Sequence, residues 1–193
     1  MRLYIRLFLL GLAAAAAAGA WPARAQLQAL PPPVDLGIRN IMQQTDVWCW
    51  AAVAQQVIVS RKGSSPPQCA LVAMVHGRYP SYCCPHYERC AVSGSLRQIQ
   101  ILIRNFGQRT TTLAAPSDAM SLYRTLRAGN PIILAIRNSP YSGHVVVLTG
   151  MTWTNGPNGP EAVLHVNDPL RVIPDRLTYR RLVPRWQAAI VVY

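Results

Sequence analysis

The chain has 193 residues, enough for one well-filled hydrophobic core and too few for two ordinary domains joined by a linker. Its 19 basic and 7 acidic residues give a formal net charge of +12. The positive charges are almost all scattered arginines without a nucleic-acid-binding motif, so we expect no nucleic-acid partner, although such a charge allows contact with an anionic surface.

The first 25 residues have the pattern of a secretory signal peptide. Arg2 and Arg6 precede an apolar stretch over residues 7–19, and residues 23–25 (Ala-Arg-Ala) form a small-x-small cleavage pattern. A membrane anchor would need about 18 to 20 uninterrupted apolar residues, whereas a proline and an arginine interrupt this stretch. We therefore predict export to the periplasm or the medium, with no stable membrane insertion after cleavage. The mature chain keeps a net charge of about +9 once these three arginines are removed.

The mature chain is predicted to begin with an extended leader. Residues 26–39 contain three consecutive prolines and little hydrophobic periodicity, which is typical of a segment that runs over the surface. The folded domain is then expected to span residues 40–193.

Three helices are predicted in the first part of this domain. Apolar residues recur at three- and four-residue spacing from Cys49 to Lys62, where Gly63 ends the pattern, and again from Leu96 to Phe106. Ser117 and Asp118 open a third helix that closes near Gly129. The Pro- and Tyr-rich segment between the first two helices is interpreted as an excursion.

Short apolar runs separated by turn residues follow, and these predict strands. They cover residues 132–136, 144–148, 162–167 and 188–193, with a hairpin turn around residues 155–159. Helices followed by an antiparallel sheet define the α+β class.

The five cysteines are unevenly placed. Cys49 stands alone between two tryptophans, whereas four others fall within residues 69–90: Cys69, Cys83, Cys84 and Cys90. In an oxidising compartment, this pattern predicts two disulfides and one thiol left over. A ring between the adjacent Cys83 and Cys84 would be strained, so we expect one to pair with Cys69 and the other with Cys90. A zinc site formed by these cysteines and His86 is the alternative.

The unpaired cysteine has the features of a nucleophile. A helix N-terminus and a neighbouring histidine both favour the thiolate, and Cys49 is predicted to open a helix. His144 follows two small residues at the start of a strand, and Asp168 ends the next strand, where it can hold the imidazole in one tautomer. Gln43 and Gln44 precede the nucleophile and can each supply an amide donor to an oxyanion.

Three blocks of sequence resemble bacterial papain-like cysteine proteases. Residues 43–52 (Gln-Gln-Thr-Asp-Val-Trp-Cys-Trp-Ala-Ala) resemble their active-site segment, and residues 165–169 (His-Val-Asn-Asp-Pro) resemble their Asp-Pro turn. Residues 143–150 (Gly-His-Val-Val-Val-Leu-Thr-Gly) are similar to the histidine strand of these enzymes, of plant-pathogen effector peptidases and of bacteriocin-processing peptidases. The resemblance implies a papain-like fold and an activity on peptide or protein substrates.

The resemblance also implies a role for each site residue. Cys49 would be the nucleophile, His144 the general base and then acid, and Asp168 the orienting residue. The family's glutamine lies six residues before the cysteine, which selects Gln43 as the oxyanion donor. Plant-type papains use asparagine as the third member, so Asn167 is the alternative to Asp168. No cofactor or metal is expected, and the protein is expected to be a monomer.

Two other functions remain open at this stage. The same triad chemistry occurs in peptidoglycan (murein) amidases and endopeptidases, and an anionic wall polymer suits an exported basic protein. A non-catalytic, disulfide-stapled binding protein is the alternative outside enzymes.

Overall fold

The computed structural model describes residues 29–113, 118–139 and 142–193, so the predicted signal peptide at residues 1–25 lies outside the described part. Helices precede an antiparallel sheet along the chain, and the α+β prediction is confirmed. No helix in the described ranges is both long and apolar enough to cross a bilayer.

The three predicted helices form with nearly the predicted ends. Gly63, with φ of 78°, closes the first helix in the left-handed conformation that favours glycine, and Asp118 caps the third through its side chain. Ser117 lies outside the described residues. The segment that holds the four clustered cysteines, residues 69–90, is called the stapled segment. It contains helices that the sequence analysis did not predict, together with a 3-10 turn at Tyr87–Cys90. The helices are α1 (Cys49–Lys62), α2 (Gln68–Val75), α3 (Pro80–Cys83), α4 (Leu96–Asn105), α5 (Ala119–Arg127) and α6 (Tyr179–Leu182).

The four predicted strands form the centre of a sheet whose pairs are all antiparallel. Its order is β2-β7-β3-β4-β5-β6, and β1 pairs with β4. The predicted hairpin connects β4 and β5, whose last pair is Gly156 with Gly159. The strands are β1 (Val34–Asp35), β2 (Thr110–Leu113), β3 (Ile132–Ser139), β4 (Ser142–Gly156), β5 (Gly159–Asn167), β6 (Asp175–Thr178) and β7 (Trp186–Val192).

The two faces of the sheet bury separate hydrophobic clusters. Alternation along β4 sends Val145 and Val147 to the cluster that contains α1, α2 and α4. Val146 and Leu148 point to the opposite cluster, which contains α5 and α6. The sheet therefore separates the helix that carries Cys49 from a second layer on its other face.

A bulge at Thr149 interrupts the pairing of β4 with β5. Leu148 pairs with Val166 and Gly150 with His165, so Thr149 has no partner in the ladder. The bulge is fixed from two directions, because the Thr149 hydroxyl donates to the His165 carbonyl at 3.3 Å and its carbonyl accepts from Leu36 N–H at 2.9 Å. One extra residue changes which residues of the two strands share a face.

The four clustered cysteines form two disulfides, Cys69–Cys84 and Cys83–Cys90. The expected disulfides are present, and these cysteines do not act as zinc ligands. The first bond joins α2 to the residue after α3, and the second joins α3 to the 3-10 turn. The segment therefore folds as a compact helical unit.

Part of the predicted leader is paired with the sheet. Val34 and Asp35 form β1 against Met151 and Gly150, and the Tyr123 hydroxyl donates to the Pro32 carbonyl at 2.7 Å. Ile38 is buried in the α1 cluster. From Val34 onward, this segment is part of the packed structure.

Gly150 gives a test of this packing. A Cβ at this position would lie 2.6 Å from the Val34 carbonyl oxygen, which is backbone and cannot turn aside. We therefore expect Gly150→Ala to lower the free energy of unfolding by about 1–3 kcal/mol, measured by urea denaturation. Gly143→Ala on the same strand is the matched control, since its Cβ would meet nothing closer than 3.6 Å. Equal stability of the two variants would contradict the proposed strand contact.

Candidate active site

Cys49 is the first residue of α1 and is the one free cysteine of the described residues. No side chain caps this helix, so the N–H groups of its first turn can face a substrate oxygen. The indole N–H groups of Trp48 and Trp50 donate to the carbonyls of Cys90 and Val92, at 2.9 and 3.1 Å. Both tryptophans are buried, and they fix the backbone on each side of Cys49 to the stapled segment.

His144 lies at the start of β4 and connects Cys49 with Asp168. Its Nε2 is 2.7 Å from Asp168 Oδ1, and its ring lines the same cavity as Cys49. Burial alone would lower the pKa of His144, but its contacts with Asp168 and Cys49 raise that pKa from 6.5 to about 9. The charged imidazolium is thus stabilised beside the thiol.

Asp168 is held in place from several directions. Its Oδ1 accepts the Leu170 backbone N–H at 2.9 Å, and Arg171 Nε lies 3.8 Å from Oδ2. Burial would raise the pKa of Asp168, yet the hydrogen bonds from His144 and Leu170 and the nearby positive charges lower it. The carboxylate is therefore charged when it faces the imidazole.

Asn167 points away from His144. Its side-chain amide donates to the Ile38 carbonyl at 2.8 Å and to Gln56 Oε1 at 3.2 Å. These partners lie on the face of the sheet that packs against α1. Between the two alternatives for the third position, the structure places Asp168 beside the histidine.

A network of side-chain amides, of which Gln56 and Asn167 are buried, was missed by the sequence analysis. Asn40 Nδ2 donates to the carbonyls of Asp168 and Arg171 at 3.2 and 2.6 Å, and Gln56 Nε2 donates to Asn40 Oδ1 at 3.1 Å. With the bond from Asn167 to Gln56, this network fixes the Asp168 turn against α1. Its amides lie 16 and 111 positions from Gln56, and no local pattern in the sequence connects them.

Gln43 lies in the loop that enters α1. Its backbone N–H donates to the Pro169 carbonyl at 2.9 Å, which joins this loop to the Asp168 turn. Its Nε2 donates to the Thr45 carbonyl at 2.7 Å, which uses one of its two N–H groups. No hydrogen bond joins Gln43 to Cys49 in the described ranges.

A cavity of about 340 Å³ opens beside Cys49 and His144. One wall is the backbone of residues 93–95 (Ser-Gly-Ser), where Gly94 lies flat against Trp50 so that a Cβ there would overlap the indole ring. The sequence analysis did not single out this loop, since a run of small residues is common in connections. Gly143 leaves the opposite wall open beside the imidazole.

The family described as papain-like cysteine protease AvrRpt2 matches residues 34–179. The chain belongs to this family. It is therefore a papain-like cysteine peptidase, as its sequence blocks implied. A search of curated protein sequences gives no significant match.

A solved structure shows the same fold. The peptidase domain of Streptococcus ComA, a bi-functional ABC transporter involved in a quorum-sensing pathway, aligns with a TM-score of 0.58 at 18% identity, covering 80% of this chain and 97% of that domain. The peptidase domain of Streptococcus mutans ComA aligns with a TM-score of 0.49 at 18% identity, covering 80% and 98%. At this identity, the first alignment shows the papain-like fold and nothing about specificity.

The His144–Asp168 pair predicts a direction for the effect of pH on stability. Because the His144 pKa is raised from 6.5 to about 9, its contribution is complete below pH 6.5 and is lost as pH rises through about 9. The Asp168 pKa is lowered from 3.8, so its contribution is present above pH 3.8 and is lost as pH falls through the lower folded value.

Asp168→Asn removes the carboxylate that stabilises the charged form of His144. Burial then disfavours that charged form. We expect the stability difference between the wild type and this variant to be largest between pH 4 and 6.5 and to shrink toward pH 9, as measured by urea denaturation across that range. Asp46→Asn is a control on an exposed carboxylate. A difference that stays constant from pH 5 to 9 would contradict the ion pair.

Proposed function

We propose that this protein is an exported cysteine peptidase that hydrolyses peptide bonds through a Cys49–His144–Asp168 triad. The observation that carries the proposal is the position of His144, whose imidazole is hydrogen-bonded to Asp168 and faces the same cavity as the free thiol of Cys49. A buried imidazole held between a carboxylate and a free thiol at a helix start is the arrangement that thiol catalysis requires.

Each residue has a defined role in the reaction. The Cys49 thiol gives its proton to His144, and the thiolate attacks the peptide carbonyl. His144 returns that proton to the leaving amine as the C–N bond breaks, which leaves a thioester on Cys49. His144 then takes a proton from water, whose oxygen attacks the thioester, and finally protonates the departing thiolate. Asp168 keeps the ring oriented and stabilises its charged form.

The tetrahedral intermediates carry a negative oxygen that needs donors. The backbone N–H of Cys49 at the uncapped start of α1 is one donor, and the remaining N–H of the Gln43 amide is the other. Gln43 lies in the loop that also contacts the Asp168 turn, which supports a position near the reacting carbonyl.

Export is part of the proposal. The pattern of residues 1–25 supports it, and so do the two disulfides within residues 69–90, since such bonds persist in oxidising compartments. The periplasm and the external medium both meet this condition.

Thiol labelling tests the nucleophile. In the folded, unreduced protein we expect iodoacetamide to modify Cys49, while the four cysteines in disulfides stay protected. Casein hydrolysis should disappear in Cys49→Ala and His144→Ala and stay unchanged in Lys62→Ala, a surface variant at the far end of α1. A protein that neither labels at neutral pH nor cleaves casein would contradict the proposal and favour a binding protein.

The same assay separates peptidase from murein hydrolase. Zymograms on casein and on purified peptidoglycan, each run with wild type and Cys49→Ala, should show clearing by the wild type on casein. Clearing on peptidoglycan alone would replace the peptidase with an amidase or endopeptidase of the wall that uses the same triad.

Gln43→Ala tests the oxyanion role. Loss of one donor is expected to lower kcat by about 10²–10³-fold with little change in KM, because the donor acts on the transition state. The rate of Cys49 labelling should be unchanged, since the thiol and imidazole remain. Gln44→Ala, an exposed neighbour, is the matched control. Equal kcat values for the two variants would remove Gln43 from the reaction.

A further inference from the structure

A second cavity lies beside His144 and Asp168. It has a volume of about 480 Å³, and apolar side chains from β3, β4, β5 and β6 and from α6 form much of its wall. Three arginines also line it: Arg171, Arg181 and Arg185. Asp168 and Asp175 line it as well, so its wall is both polar and apolar, and its three arginines outnumber its two carboxylates. Such a site fits a ligand that has an anionic end.

The three arginines differ in whether a carboxylate lies close enough to pair with their charge. Arg171 Nε is 3.2 Å from Asp175 and 3.8 Å from Asp168, so this cation has acidic partners. Arg185 donates from Nε to the Arg137 carbonyl at 3.2 Å, and no carboxylate in the described ranges pairs with it. Arg181 has no hydrogen bond or ion pair within residues 29–113, 118–139 and 142–193. Two guanidinium groups are thus available to an incoming anion.

The two cavities differ in their relation to the reacting atoms. The cavity beside the 93–95 loop contains both Cys49 and His144, whereas the second cavity contains His144 and lacks Cys49. In the proposed reaction, the acyl part of the substrate is bonded to Cys49, and the leaving amine receives its proton from His144. The second cavity therefore borders the residue that protonates the leaving amine and does not border the thiol that holds the acyl part.

We propose that Arg181 and Arg185 bind a substrate carboxylate on the leaving-group side of the scissile bond, so that the peptidase favours acidic peptides there. This inference rests on the proposed function. A guanidinium group binds a carboxylate through paired N–H donors, and a partly enclosed site strengthens that contact. The carboxylate has two sources, an acidic side chain or the C-terminus of the peptide, and the shared chemistry is a planar anion.

Paired peptides test the preference. A peptide that the wild type cleaves in a casein digest is synthesised with glutamate or glutamine at each of the two positions after the scissile bond. We expect kcat/KM to be about tenfold higher for glutamate, and the preference to weaken as NaCl is raised. The same peptides truncated at those positions, as free acids and as amides, show whether a C-terminal carboxylate gives the preference instead.

Arginine variants locate the binding site. The double variant Arg181→Gln/Arg185→Gln should lose the preference, so that it cleaves the glutamate and glutamine peptides with equal kcat/KM. Arg180→Gln is the matched control, because Arg180 is exposed in the same helix and does not line the cavity. Thermal denaturation of all variants verifies that they fold alike. A preference that is absent in the wild type, or that survives in the double variant, would overturn the inference.

A binding assay separates this inference from the proposed chemistry. Cys49→Ala protein is titrated with a fluorescent alanine hexapeptide that contains one glutamate, and with its glutamine counterpart. Tighter binding of the glutamate peptide that disappears on adding the two arginine substitutions supports the site even if no peptide is hydrolysed, in which case the triad proposal fails alone. Equal binding of the two peptides would count against the site whether or not casein is cleaved.

Discussion

The geometry of the candidate active site depends on the bulge at Thr149. Before the bulge, Val147 pairs with Asn167, so these two residues share the face toward α1, and His144 lies on the other face. Asp168, one residue later, reaches the face of His144. If Thr149 paired with Val166 in a regular ladder, the pairing before it would shift by one, and Asn167 instead of Asp168 would share the face of His144. The Leu36 contact and the close approach of Val34 to Gly150 keep this alignment fixed.

The other half of the site is positioned by polar groups that are buried with their partners. Trp48 and Trp50 carry hydrogen bonds from the start of α1 to the stapled segment, and the Asn40, Gln56 and Asn167 amides connect α1 to the turn that carries Asp168. A buried amide or indole without a partner costs free energy, so each of these bonds selects one arrangement of helix and sheet. The thiol and the carboxylate are thereby held at fixed positions on separate layers.

Local patterns predicted much of this structure. Hydrophobic periodicity located α1 and α4, capping residues located α5, and short apolar runs located the four central strands. The helix start and the strand ends placed Cys49, His144 and Asp168 where the structure has them. The sequence favoured Asp168 and left Asn167 as the alternative, because the choice depends on a register shift between two strands. The edge strands β2 and β6 and the helices within residues 69–90 were missed, since short segments rely on tertiary contacts and disulfides more than on periodicity. No local sequence pattern predicted that the arginines of the second cavity lie together, because their grouping depends on tertiary contacts.

The stapled segment has a consequence for thiol chemistry. The carbonyls that accept from Trp48 and Trp50 belong to Cys90 and Val92, and the Cys83–Cys90 disulfide anchors this stretch. An oxidant strong enough to convert Cys49 to a sulfenic acid removes the proposed nucleophile. A reductant strong enough to open the disulfides releases the stretch whose carbonyls accept the hydrogen bonds of the two indoles. The active arrangement therefore requires a redox potential at which the thiol stays reduced and the disulfides stay oxidised. Reducing agents that restore many thiol enzymes would here break the disulfides that hold the thiol in position.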